Sequence, residues 1–485
     1  MCSESALFAP TYDLTQTSRL HLEHAATAPH RFSDLLMKAG SLDLQDAQKV
    51  HAISKRLLEL RLPRSSAANF GFNAGENVFR EFHLLPGGRF LLARSSESVH
   101  FWDLGTNATD MVEPFPICHR RIKDLLGAKE TPRTLEPDGP SMAVFPCVTK
   151  PNAMRFTYSL QDAVKAGYQS VYLFEATFTH SPLAVDVRLM KTYADRDGTF
   201  PLVHAVTDEW IVMSFLDDIR ILNYMDNTMA FWTAQNADDV ERVIADPETD
   251  SVVVVTTKGE VRVYEIEAFY ENLTHEDLVC CSADDLPYTS LESESPRAVA
   301  LLEPWYYIGA YPQSIVLDTL VGDEIRRYAG AHTSNGRWLA LELRRHSTVQ
   351  VSAQSLGAVA DAAITGDARA TFPFCKVDEE CGIVPYARHS GIECLAYRGV
   401  PSSLAGQAVT ASHSTGTLSP SAGTSNPGTG GPASVVATQL FSSLSLSGML
   451  KNVALDAASG RLCFIDDDDE RNIWIIDFLL PQREG

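Results

Sequence analysis

The chain has 485 residues, 45% hydrophobic and 21% charged, an ordinary globular balance able to bury a sizeable core. Its 62 acidic residues against 40 basic leave a net charge of -22, a field that repels phosphate backbones and anionic headgroups and excludes nucleic acid and membrane as expected partners. No basic n-region and apolar core follow Met1, no run of about 18 apolar residues exists, and the nine cysteines are scattered mostly within apolar strand-like runs, so the expected location is intracellular, cytoplasmic and/or nuclear, with reduced thiols.

The first 70 residues predict an N-terminal helical segment. Asp13 to Ala28 and Phe32 to Ala39 read as two helices separated by Pro29, with Gly40 ending the second. Leu44, Ala47, Val50, Ile53, Leu57 and Leu60 recur every three or four positions and read as a third, stopped by Pro63.

After residue 75 the period becomes two. Val78 to Leu85, the turn Pro86-Gly87-Gly88, Arg89 to Ala93 and Val99 to Leu104 form a meander. The unit recurs at Val243 to Ala245, Ser251 to Thr257 and Glu260 to Ile266, and again at Val453 to Leu455, Arg461 to Ile465 and Ile473 to Phe478. Weaker copies run through Val203 to Tyr224, Arg297 to Leu317 and Arg337 to Val351, with a degenerate one from Met142 to Phe178 and a seventh split between Thr371 to Tyr397 and the last strands. Units of this length define an all-β fold, a β-propeller of about seven blades over residues 75–480. Third strands end in Phe101-Trp102-Asp103-Leu104, Val263-Tyr264-Glu265-Ile266 and Ile475-Ile476-Asp477-Phe478, relatives of the Trp-Asp ending of WD repeats. Residues 401–436, dominated by Ser, Thr, Gly, Pro and Ala, read as a disordered loop inserted in the last repeat.

No linear motif supplies catalysis: a Gly-x-Ser-x-Gly elbow, a His-Glu-x-x-His helix and a phosphate loop are all missing from the sequence, and Gly428 to Gly431 sits in the low-complexity stretch. Asp466 to Glu470 reads as a solvated hairpin tip, since no Gly bend turns its carboxylates onto one ion. Cys375, Cys381, His389 and Cys394 include soft ligand types but lack a paired Cys-x-x-Cys knuckle, and Cys280 and Cys281 are too close for an easy mutual disulfide. Cys118-His119-Arg120-Arg121 is the one local basic stretch that could take an anion, and His332 to Trp338 reads as internal blade hydrogen bonding. No catalytic, cofactor-binding or metal residue is therefore assigned.

The run Phe79-Arg-Glu-Phe-His-Leu-Leu-Pro-Gly-Gly-Arg-Phe-Leu-Leu to Phe101-Trp-Asp-Leu, with Leu14 to Arg19 and Leu57 to Leu62 before it, resembles the WD-repeat-like β-propeller proteins of mushroom-forming (basidiomycete) fungi, many described as F-box proteins. The resemblance implies a propeller that holds a substrate while an upstream F-box recruits the Skp/cullin ubiquitin-ligase core. Met1 to Thr11 is too short for an F-box and has no Leu-Pro-x-Glu opening, so that link is an expectation only if an F-box lies upstream. The expected function is a non-enzymatic protein-interaction scaffold or substrate receptor. A small-molecule-binding or hydrolytic propeller with a site at the central channel is the alternative. Convergent acids or histidines at the channel would favour the alternative, and an exposed aromatic or Arg patch would favour a protein partner.

Overall fold

The computed structural model describes residues 18–40 and 50–60, most of 78–265, and, in the remainder, the strands and some short connections between 270 and 479. It contains seven antiparallel sheets among these residues. The first blade holds β2 (Glu81–Leu84), β3 (Phe90–Arg94), β4 (Ser98–Asp103) and β5 (Cys118–Arg121). The second holds β6 (Met142–Pro146), β7 (Ala153–Gln161), β8 (Gln169–His180) and β9 (Leu183–Asp195). The third holds β10 (Leu202–Val206), β11 (Trp210–Phe215), β12 (Asp218–Asn223) and β13 (Thr228–Thr233), and the fourth β14 (Val240–Asp246), β15 (Ser251–Thr256), β16 (Val261–Glu265) and β18 (Thr289–Leu291). Between the last two, β17 (Tyr270–Glu271) crosses to pair with β13, giving the third blade a fifth strand. The fifth blade holds β19 (Ala298–Leu301), β20 (Ser314–Val321), β21 (Glu324–Ala331) and β22 (Ser352–Ala358). The sixth holds β23 (Cys375–Lys376), β24 (Cys381–Arg388), β25 (Gly391–Arg398) and β26 (Ser434–Ser442).

The seventh blade is built from both ends of the chain. Its inner strands are β27 (Leu450–Asp456), β28 (Arg461–Asp466) and β29 (Asn472–Asp477), and its outer strand is β1 (Ser54–Glu59), paired in register from Ser54 opposite Asp477 to Glu59 opposite Asn472. Consecutive blades touch around the ring, through β2 and β6, β6 and β10, β10 and β14, β14 and β19, β22 and β26, β24 and β27, and finally β27 and β2. The chain is a seven-bladed β-propeller.

Side chains alternate across a strand, so a blade can offer an apolar face to each neighbour. Leu58 and Leu60 join Phe82, Leu91, Trp102, Cys463, Ile465 and Ile475 between blades seven and one. Phe90, Phe101, Phe156, Phe174 and Phe178 fill the space between blades one and two.

Four sequence expectations change. Residues 19–40 form a single helix, Arg19–Gly40, with Pro29 inside it, where two helices were expected. Pro29 cannot donate to the Ala25 carbonyl, a loss of about 3 kcal/mol. Phe32 and Leu36, both fully buried against Ile383, Ile392, Cys394 and Phe478, together return roughly 3–6 kcal/mol and hold the helix across the break. The third expected helix is replaced at Ser54–Glu59 by β1, which moves the start of the propeller ahead of residue 75. There Leu58 is 1% exposed and Leu57 47%, the alternation of a half-buried strand.

The unit expected to be split between Thr371 to Tyr397 and the last strands is two whole blades, and the split falls instead between β1 and β27–β29. The low-complexity insertion lies between β25 and β26 of the sixth blade and not in the last repeat; it ends by Ser434, which begins β26. Residues 399–433 lie outside the described residues, as does the copy expected over Arg337 to Val351.

Candidate functional site

Successive strands run antiparallel, so the connections between first and second strands and between third and fourth strands emerge on one face of the ring, and the others on the opposite face. Among the described residues, several fixed ion pairs lie on the first of these faces. An acid or amide lies opposite the start of the second strand in five blades: Asp103 opposite Phe90, Glu175 opposite Arg155, Asn223 opposite Trp210, Glu265 opposite Ser251, and Asp477 opposite Arg461. This is the Trp-Asp position, occupied in the second and third blades by Phe174-Glu175 and Leu222-Asn223, which the sequence pattern did not single out.

In blades one, two and seven the acid is met by arginine. Arg89 grips Asp103 with two hydrogen bonds, Nε to Oδ1 at 3.0 Å and a second guanidinium nitrogen to Oδ2 at 2.7 Å. Arg461 Nε donates to Asp477 Oδ1 at 2.6 Å, and Arg56 donates to Asp477 Oδ2 at 2.7 Å.

Between blades two and three the charges gather. Glu175, 1% exposed, accepts from Lys150 at 2.9 Å and from Arg188 at 2.7 Å, while Arg155 donates to Asp208 Oδ1 at 2.6 Å and to the Thr207 carbonyl at 2.6 Å. Burial works to raise both carboxyls, but the cations outweigh it and hold Glu175 and Asp208 below their ordinary values. Burial raises the neighbouring Cys147 thiol and the Tyr224 phenol, whose hydroxyl donates to the Thr207 and Asp208 carbonyls. Charges are thus fixed in pairs, and thiol and phenol are kept protonated, which is unfavourable for nucleophilic chemistry at this place.

The same face exposes large apolar side chains. The β4–β5 connection presents Met111 at 89% and Phe115 at 50% exposure, and Met225, in the β12–β13 turn, is 66% exposed. The loop beneath Met111 and Phe115 is braced from below. Gly105, at φ +78, donates its N–H to Asp103 Oδ1 at 3.0 Å, and a Cβ there would lie 2.3 Å from Asp110 Cβ. Arg56 donates to the Leu104 and Asp110 carbonyls, both at 2.8 Å, and Val112 packs into the core between blades seven and one.

The residues singled out from sequence do not converge. Cys381 pairs with Arg398 and Cys394 with Pro385, four ladder positions apart, or about 13 Å at 3.3 Å per residue. Cys394 is fully buried with its thiol pushed well up by desolvation, and Cys375 lies opposite Ile383; His389 lies outside the described residues. Among the described residues no group of three or more His, Cys, Asp and Glu gathers as for a metal. Glu470 holds the first blade, accepting the Phe79 N–H on its carbonyl at 2.7 Å. Cys118-His119-Arg120-Arg121 is the outer strand of the first blade, with Cys118 buried and Arg120 exposed. Cys280, Cys281, Gly428 to Gly431 and His332 to Trp338 lie outside the described residues.

Comparison with solved structures finds likenesses at low identity. The chain is similar to the WD40 domain of SCAP from fission yeast (9% identity, TM-score 0.37, covering 84% of this chain and 83% of that one). It is similar to the β-propeller domain of Cps50 (Swd1) from Myceliophthora thermophila (11% identity, TM-score 0.42, 84% and 97%). A third likeness is to Raptor from Chaetomium thermophilum (8% identity, TM-score 0.38), with 94% of this chain covering 31% of that one. No family model matches the sequence, and no curated protein matches it. No helix among the described residues is long and apolar enough to cross a membrane.

Proposed function

We propose that the chain is a non-enzymatic scaffold that holds a protein partner on the face carrying Met111, Phe115 and Met225. The observation that carries this reading is the pair Met111 and Phe115, exposed on a loop whose base is fixed by Gly105, Asp103 and Arg56. A braced loop lowers the backbone ordering cost of binding, and Met and aromatic side chains are enriched where protein interfaces are buried. Among the described residues the channel-site alternative draws no comparable support, because the carboxylates Asp103, Glu175, Asp208 and Asp477 are each already held by arginine or lysine.

The test is affinity capture with the wild-type chain and with Met111→Ser/Phe115→Ser, followed by mass spectrometry. Specific proteins retained by the first and lost by the second support the reading; identical capture by both overturns it. Skp and cullin subunits among the retained proteins would make the scaffold a ligase receptor, the form that the resemblance of residues 79–104 implies.

A further inference from the structure

The strand that closes the ring, β1, is also an edge. It ends the sheet of the seventh blade, and among the described residues no strand pairs with its outer side. Leu60 donates its N–H to the Arg471 carbonyl at 3.0 Å, so by the alternation of an antiparallel ladder the even-numbered residues of β1 turn their backbone groups to β29. Lys55, Leu57 and Glu59 turn theirs away from the sheet. Their side chains share the face that carries Trp474, the partner of Leu57, and all three are exposed. Leu57 is 47% exposed and Ile53, on the same face, 45%. Large apolar side chains along an outward-facing edge are what folded chains ordinarily avoid.

We propose that β1 pairs antiparallel with β1 of a second copy, joining two propellers rim to rim about a twofold axis at Leu57. The charges select both the occupant and the register. Lys55 and Glu59 carry opposite signs and stand equally far from Leu57, so with Leu57 opposite Leu57 each Lys55 falls opposite Glu59 of the other copy. Sliding the pair by one hydrogen-bonded position either way sets a charge opposite Leu57 instead. In the favoured register Lys55, Leu57 and Glu59 also answer one another's outward N–H and C=O groups, the pattern of strand addition. The outer strand of the first blade is guarded in the opposite sense: β5 carries adjacent arginines, Arg120 and Arg121, and no acid to answer them in a second copy. One short strand buries less than a standard interface, so the dimer is weak, with a Kd on the order of 10–100 μM.

Sedimentation velocity of the full chain from about 1 to 500 μM tests the pairing. The wild type is expected to pass from monomer to dimer across this range. Lys55→Glu and Glu59→Lys each set like charges opposite one another, and each is expected to weaken the dimer by about tenfold or more. An equimolar mixture of the two variants restores it, because an acidic edge then meets a basic one. Both positions are exposed, so the variants keep the wild-type melting temperature. A wild type that stays monomeric throughout would overturn the proposal and leave the edge to a strand of another protein. A dimer that neither single variant weakens, or a mixture that stays monomeric, would overturn it by placing the contact elsewhere.

Discussion

Arg461 and Asp477 stand opposite each other on β28 and β29, joined at 2.6 Å with both side chains 2% exposed. The other oxygen of Asp477 holds Arg56 of β1, and Arg461 also donates to the Gly88 and Gly105 carbonyls of the first blade. One carboxylate thus ties the outer strand of the last blade, and the last blade to the first. Removing it strands two buried guanidinium groups, so Asp477→Ala is expected to cost about 3–5 kcal/mol, read by chemical denaturation. A loss under about 1 kcal/mol would mean that the closure is held by apolar packing alone.

Leu91 and Trp102 are also ladder partners, both fully buried between blades one and seven. Truncating either leaves a void that packed neighbours cannot fill. Leu91→Ala or Trp102→Ala should each lower stability by about 3 kcal/mol or more, and an unchanged melting temperature would refute the packing described for this seam.

Glu175 gives the structure an acid-sensitive point. Its folded-state pKa lies below the ordinary value, because Lys150 and Arg188 outweigh the burial that opposes them. A depressed carboxyl contributes stability that is fully present above its unfolded value of about 4.3 and is lost as pH falls through the folded value. The deficit of Glu175→Gln relative to wild type should therefore be largest near pH 7 and shrink below about pH 4. Thermal melts at pH 7, 5 and 3.5 check this, and a deficit constant across the series would contradict it.

Arg398 and Ser434 are partners in the β25–β26 ladder, so the 35 residues between them leave and rejoin the sheet at one point. Replacing residues 399–433 with a four-residue turn shortens the closed loop by about three doublings, worth up to about 2 kcal/mol of closure entropy. The shortened chain should melt at or above the wild-type temperature. A marked drop would show that the insertion makes contacts of its own.

The propeller was legible wherever turn chemistry and alternation agreed, as at Pro86-Gly87-Gly88 and at Trp102-Asp103. Phe174-Glu175 and Leu222-Asn223 hold the same register position with different side chains, so a search by residue type passed them over. The misreading of Ser54–Glu59 has another cause. Six residues with two adjacent leucines fit either period, and the choice is made by a partner strand at the far end of the chain. The exposure of Met111 and Phe115 was hidden for a similar reason: an apolar residue in a connection becomes exposed or buried according to what the ring packs beneath it.

The contact between Arg56 and Asp477 spans 421 positions of sequence. During synthesis, at roughly 5–20 residues per second, β1 emerges about 20–80 s before its partner exists. For that interval its Leu58 is without the cover that Ile473 will give it, and the apolar seam of the first blade stands open. A chain stalled before Asn472 lacks the strand that pairs with β1, and is expected to aggregate more readily than the full chain.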